Sequence, residues 1–154
     1  MTFSDVDMHY MAVALEEAGL ASDQGDVPVG AVVVSNDGSI VARSHNTKEA
    51  DGTAVGHAEI NVIHMACQQL GRWRLTDCTL YVTLEPCPMC AGAILSARIP
   101  RVVIGAKDAV AGAMGSVWAL QRNPASLGMC DVSYGCMEES CRSLLQTFFQ
   151  KRRS

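Results

Sequence analysis

The spacing of apolar positions changes several times along the chain, and each change marks an element. From Asp5 to about Gly19, Met8, Met11, Ala12 and Leu15 recur at helical spacing, and Ser4 stands where an N-cap belongs. Val29 to Ser35 and Ser39 to Ser44 are short apolar runs that predict two strands. Between them, Asn36-Asp37-Gly38 carries the Asp-Gly hairpin signal. His45 to Gly56 is polar and contains glycine, so it reads as a loop. A helix is predicted from about His57 to Leu70, with Ile60, Ile63 and Cys67 on one stripe. Leu80 to Leu84 reads as a strand, Pro88 to Ala97 as a helix and Arg101 to Gly105 as a strand. Pro88 falls in a first turn, where its missing N–H costs nothing. Such a strand–helix–strand unit is normally parallel and right-handed. After a stretch punctuated by Gly105, Gly112, Gly115 and Gly128, a final helix runs from about Met137 to Lys151.

Composition narrows the class. A length of 154 residues suits a single domain, 1–154, with one core. With 49% hydrophobic and 18% charged residues, the chain is expected to fold on its own. No uninterrupted apolar run reaches the roughly 18 residues of a membrane span, so no membrane partner is expected. The N-terminus carries early acids and no basic region, unlike a secretory signal, which places the protein in the cytoplasm.

Seven cysteines at irregular spacing make a poor disulfide framework. Cys67, Cys78, Cys130, Cys136 and Cys141 are expected to pack as small apolar groups. A net charge of −4 gives no general attraction to phosphates. Lys151-Arg152-Arg153 is a local basic patch, and equally what the last turn of a helix carries. Met114, Met129 and Met137 are expected to fill core gaps or part of a dimer surface. Trp73 and Trp118 are expected to pack in the interior rather than serve as stacking platforms.

Two motifs remain, His57-Ala58-Glu59 and Pro86-Cys87-Pro88-Met89-Cys90, each where a helix begins. Thiolate and imidazole are good zinc ligands. The gap in Cys87-x-x-Cys90 lets one helical turn bring both sulfurs to one ion, and a helix N-terminus favours the thiolate form. His57 is the natural third ligand. His64 lies seven residues later on the same predicted helix, about 10 Å along its axis, too far to share the ion. His9 and His45 sit in no ligand-type motif. Three protein ligands with a place left for water is the catalytic arrangement, whereas structural zinc sites close with four. Glu59, two residues from His57, is placed to take a proton from that water and pass it to a substrate ring and leaving amine.

These motifs identify the chain as resembling the cytidine-deaminase-like zinc deaminases, and most closely the bacterial tRNA-specific adenosine deaminases. The likeness covers most of the chain. It includes Val27-Pro28-Val29-Gly30-Ala31-Val32, Asn46, His57-Ala58-Glu59-Ile60 and Trp73-Arg74-Leu75. It continues through Leu80–Ala93, Ala97-Arg98-Ile99, Gly105-Ala106-Lys107-Asp108, Gly112-Ala113, Gly115-Ser116 and the terminal Phe148-Phe149-x-x-Arg152-Arg153.

The resemblance implies a three-layer α/β fold, a central five-stranded mixed sheet with helices on both faces. It implies one Zn2+ per subunit on His57, Cys87 and Cys90, with Glu59 as proton shuttle. Asn46 would hydrogen-bond the base, Val29 would pack on it, and Ala58 would offer its backbone N–H. Asp108, Phe149 and Arg152 would lie near a bound tRNA anticodon stem-loop. The implied activity converts the wobble adenosine to inosine, on a homodimer, with the base extruded into the pocket. One departure stands out. Family members often carry Asp-Pro-Thr-Ala before the histidine, whereas this chain has Gly52-Thr53-Ala54-Val55-Gly56, which predicts a more flexible loop.

Two other readings fit the same motifs. One is a deaminase of free bases or nucleosides, such as guanine or cytosine, because fold and metal motif do not define the pocket. The other is a non-catalytic zinc-stabilised domain, which Glu59 and the missing fourth ligand oppose.

Overall fold

The computed structural model describes residues 3–123 and 129–153. Gly128, one of the punctuating glycines, lies outside them. In chain order the elements are α1 (Asp5–Asp23), β1 (Gly30–Ser35), β2 (Ile40–His45), α2 (Lys48–Asp51), α3 (Ala58–Leu70), β3 (Cys78–Leu84), α4 (Pro88–Ser96), β4 (Arg101–Ala106), β5 (Asp131–Tyr134) and α5 (Glu138–Arg153). A single 3₁₀ turn spans Leu120–Arg122.

The strands form one sheet in the order β2-β1-β3-β4-β5. β1 pairs antiparallel with β2 and β3, whereas β3–β4 and β4–β5 are parallel. The sheet is therefore mixed and five-stranded. β1, β3 and β4 are buried nearly end to end, as central strands covered on both faces must be. Alternate residues feed two cores. Ala31, Val33, Leu80, Val82, Val102 and Ile104 pack with Ala58, Val62, Ala91 and Ile94 of α3 and α4. Val32, Val34, Tyr81 and Val103 pack with Met11, Val13, Ala14 and Cys141 of α1 and α5. This period-two division makes the three layers.

Ser4 caps α1 as the sequence predicts, its side chain accepting from the Asp7 N–H at 3.0 Å. The buried stripe of α1 differs from the expected one. Met11 is buried, but Met8 is exposed, and the other core-facing positions are Asp7, Val13, Ala14, Glu17, Ala18 and Ala21. The two acids are inside because both are paired. Asp7 binds the Arg101 guanidinium at 3.0 and 2.8 Å and accepts from Tyr81 at 2.7 Å. Glu17 accepts from Arg43 Nε at 2.8 Å and lies 2.8 Å from His45 Nδ1. The Arg101 hydrogen bonds hold the Asp7 carboxyl below its ordinary range, against the opposing effect of burial.

One further expectation is corrected. Trp73 and Trp118 are about half exposed rather than interior. Trp73 follows the Gly71 cap of α3, outside the packed layers, and the Arg74 and Arg98 guanidinium groups lie over its ring at 4.7 and 5.9 Å. Met114 fills the core, but Met129 stands in solvent. The five cysteines expected to pack as apolar groups do so: Cys78, Cys136 and Cys141 are buried, Cys67 and Cys130 are half-buried against the core, and all five are free.

Candidate metal centre and its pocket

The two motifs meet because the sheet brings two helix starts to one place. β3 ends at Leu84, the chain turns through Glu85-Pro86, and Cys87 becomes the N-cap of α4 with Pro88 in the first turn. His57 is the N-cap of α3. An N-cap side chain ordinarily turns back onto the free N–H groups of its own helix. Neither His57 nor Cys87 makes a side-chain capping bond of this kind.

They converge with Cys90. His57 Nδ1 lies 3.7 Å from Cys87 Sγ and 3.5 Å from Cys90 Sγ, and the three ligand atoms all fall within 4.8 Å of one another. A tetrahedral zinc ion would separate a ligating nitrogen from a ligating sulfur by about 3.6 Å, given its usual bond lengths. The donor set therefore fits zinc in both chemistry and spacing. Among the described residues this is the one such cluster, and His64, also on α3, is exposed and outside it.

Shared protons already polarise the cluster. Hydrogen bonding from Cys90 and His57 pulls the Cys87 thiol down to about 4, and the same contact with Cys87 raises His57. Cys90 is pushed upward by its bond to the Cys87 sulfur and by burial. Glu59, in the first turn of α3, is 4% exposed, and burial lifts its carboxyl to about 7. A carboxyl so tuned exchanges protons readily near neutrality.

A cavity of about 220 Å³ opens beside these groups, lined by Val29, Asn46, His57, Glu59, Cys87 and Asp108 among others. Asn46 is largely buried at the cavity wall. Its Oδ1 accepts from the Ala58 N–H at 2.8 Å, so the group it can offer a ligand is the Nδ2 donor. The Ala58 N–H donates that bond, and Ala58 itself does not line the cavity. Asp108 reaches the cavity wall, its Oδ1 accepting from Val110 and Ala111 at 2.9 and 3.1 Å. Phe149 and Arg152 lie outside the cavity. They line a neighbouring depression that shares Val27 and Lys48 with it, and the Arg152 guanidinium sits over Phe148 at 4.7 Å while bonding the Gly25 carbonyl.

The predicted loop before His57 is not wholly irregular. It contains the short helix α2, and its arms are tied by Thr47 N–H to Gly56 carbonyl at 2.8 Å. A Cβ at Gly56 would lie 2.9 Å from Lys48 N and 3.0 Å from the Thr47 carbonyl carbon. The glycine thus allows the arms to pack closely. Asp26, buried and absent from the sequence reading, fastens α2 from below by accepting from the Glu49 N–H at 2.9 Å. Glu85 was missed as well, although it lines the cavity two residues before a ligand cysteine.

Fold and site together define a zinc-dependent deaminase, and residues 4–106 match the cytidine and deoxycytidylate deaminase zinc-binding region. Within that class, the chain belongs to the tRNA-specific adenosine deaminase family. It is 46% identical over 147 residues to the tRNA-specific adenosine deaminase of Bacillus subtilis, covering 96% of this chain and 91% of that one. A solved structure from studies of tRNA:A34 deaminases and A-to-I editing at the wobble position superposes with TM-score 0.86 at 44% identity, covering 89% of this chain and 99% of the other. A guanine deaminase from Nitrosomonas europaea superposes with TM-score 0.75 at 22% identity, over 92% of this chain and 83% of that one, a likeness of fold alone.

Proposed function

We propose that this chain hydrolytically deaminates the wobble adenosine of a tRNA anticodon loop to inosine, with one zinc ion per subunit of a cytoplasmic homodimer. The observation that carries the reading is the buried Glu59 carboxyl beside the His57–Cys87–Cys90 cluster, at the floor of a cavity that also presents Asn46 and Val29. No helix among the described residues is long and apolar enough to cross a membrane.

His57, Cys87 and Cys90 would hold the zinc ion, which would supply Lewis-acid chemistry to activate water near neutral pH. The chain's own residues do the rest. Glu59 takes a proton from the attacking water and hands it to the ring nitrogen beside C6. The water oxygen bonds to C6, Glu59 moves the remaining hydroxyl proton to the exocyclic amine, and the bond from C6 to that amine breaks as the C6 carbonyl forms, so that ammonia leaves. Asn46 Nδ2 donates to a ring acceptor of the extruded base, and Val29 packs on its face. Asp108 borders the mouth, while Phe149 and Arg152 lie where flanking nucleotides would pass.

The test is direct. Zinc-loaded protein is incubated with an adenosine-centred anticodon stem-loop, free guanine and free cytosine, with Glu59→Gln as control, and products are identified by mass spectrometry. Inosine from the parent alone is the expected result. Xanthine or uracil in its place would move the chain to free-base deamination, and no product from zinc-loaded protein would return it to a non-catalytic role.

A further inference from the structure

Glu85 occupies an unusual position: a carboxylate only 2% exposed, at the end of β3, with no cationic partner among its hydrogen bonds. Its two oxygens collect four donors instead. Oε1 accepts from the Asp108 N–H at 3.1 Å and from the Ser116 hydroxyl. Oε2 accepts from the Met114 N–H at 3.1 Å and the Ser116 N–H at 3.0 Å. All four come from one segment, 108–116, and that segment supplies Asp108 and Ala111 to the cavity wall. A carboxylate is suited to this task because it offers acceptors only, in several directions at once.

The packing is tight on both sides. A Cβ at Gly112 would lie 2.5 Å from Glu85 Cδ and 2.4 Å from the Asp108 carbonyl oxygen, so the segment wraps closely around the carboxylate. The Ala113 N–H also bonds the Pro86 carbonyl at 2.8 Å. The wall is thus pinned to the same two residues that lead into the ligand Cys87.

We propose that Glu85 is a positioning residue for substrate. It holds the 108–116 wall at a fixed distance from the metal centre and so sets the width of the slot that receives the base. This rests on the cavity being the base-binding site. It assigns Glu85 no contact with the reacting atoms, only the placement of Asp108 and Ala111 relative to Cys87.

The experiment compares Glu85→Gln and Ser116→Ala with the parent, each zinc-loaded. Three quantities are measured: bound zinc, hydrogen exchange of the 108–116 amides, and KM and kcat on the adenosine stem-loop. In Glu85→Gln one acceptor becomes an NH2 donor that faces incoming donors, which loosens the wall. The expected result is unchanged zinc, faster exchange confined to that segment, KM raised roughly tenfold and kcat within about threefold. Ser116→Ala removes a single donor and gives a smaller change in the same direction. A purely structural role would lower the folded fraction, reducing apparent kcat and leaving KM alone, and that outcome overturns the proposal. So does a Glu85→Gln protein with parental KM. If Glu85→Gln does not fold, Ser116→Ala decides: a raised KM supports the slot and an unchanged KM overturns it. A parent with no activity on the stem-loop removes the functional reading itself, and the proposal with it. An active parent with unaffected variants removes only the role of Glu85.

Discussion

The two sides of the cavity are built by different means. The metal side is made of helix starts: His57 and Cys87 are N-caps, and Cys90 and Glu59 lie in the first turns that follow. Its geometry is inherited from β1, β3 and the two helices packed on one sheet face. The far wall, 108–116, has no helix or strand of its own and is held by the Glu85 carboxylate and the Pro86 carbonyl. One side owes its precision to secondary structure, and the other chiefly to hydrogen bonds on a buried acid and its neighbour Pro86. Substitutions on the first side should therefore disable chemistry, and those on the second should disturb fit.

The largest expected effect lies on the metal side. Glu59→Gln should lower turnover by about 10³-fold or more while zinc content and stem-loop affinity persist, as befits a lost proton shuttle. Single-turnover assays with zinc analysis check this, and a variant retaining a tenth of parental turnover would break the division.

The same substitution should change stability in metal-free protein, with a definite sign. Burial raises the native Glu59 carboxyl to about 7 from an ordinary 4.5, so the folded state binds the extra proton between those values. The folding penalty is absent below the unfolded value, grows as pH rises through this window and is complete above about 7. Glu59→Gln should then stabilise the metal-free protein at pH 8 by at most about 3 kcal/mol and do nothing at pH 4. Urea titrations at both pH values give the answer.

A change remote from the cavity supplies the reference. Asp7→Asn breaks the pairing with Arg101 on the opposite face of the sheet and should cost about 1–3 kcal/mol, discounted because Arg101 is partly exposed. The native Asp7 carboxyl is depressed, so its contribution is present above the unfolded pKa near 4 and is lost as pH falls through the lower native value. The variant should flatten the acid limb of the stability curve and leave KM unchanged.

The smallest effect sharpens the comparison most. Gly112→Ala inserts a methyl against Glu85 and the Asp108 carbonyl, and should raise KM several-fold, on the order of 1 kcal/mol, with zinc binding intact. Zinc loss in this variant would show that the wall and the metal side are one unit.

Legibility in the sequence follows the same division. The metal side was readable because each ligand lies in a short motif at a helix start and its partners are other side chains. Glu85 was not, because three of its four partner groups are backbone N–H donors, which every residue but proline carries. The α1 stripe was misjudged because its core face mixes alanines with two acids, whose burial depends on Arg101 and Arg43 far along the chain. α2 is four polar residues and gives no periodicity to detect. β5 offers only Val132 as an aliphatic residue and lies at the sheet edge, half-buried. The resemblance implied five strands, whereas the apolar pattern alone identified four.

The parallel pairing of β4 with β5 has a consequence for how such a pocket can diversify. Parallel neighbours require a long crossover connection, commonly a helix. Here the residues between Ala106 and Asp131 make that connection, and part of it is the cavity wall. A surface loop can lengthen or shorten with little penalty, but this one must also return the chain to the sheet in register. Changes of substrate preference on this side should come from exchanging side chains at fixed length, such as those at 108 and 111, rather than from insertions.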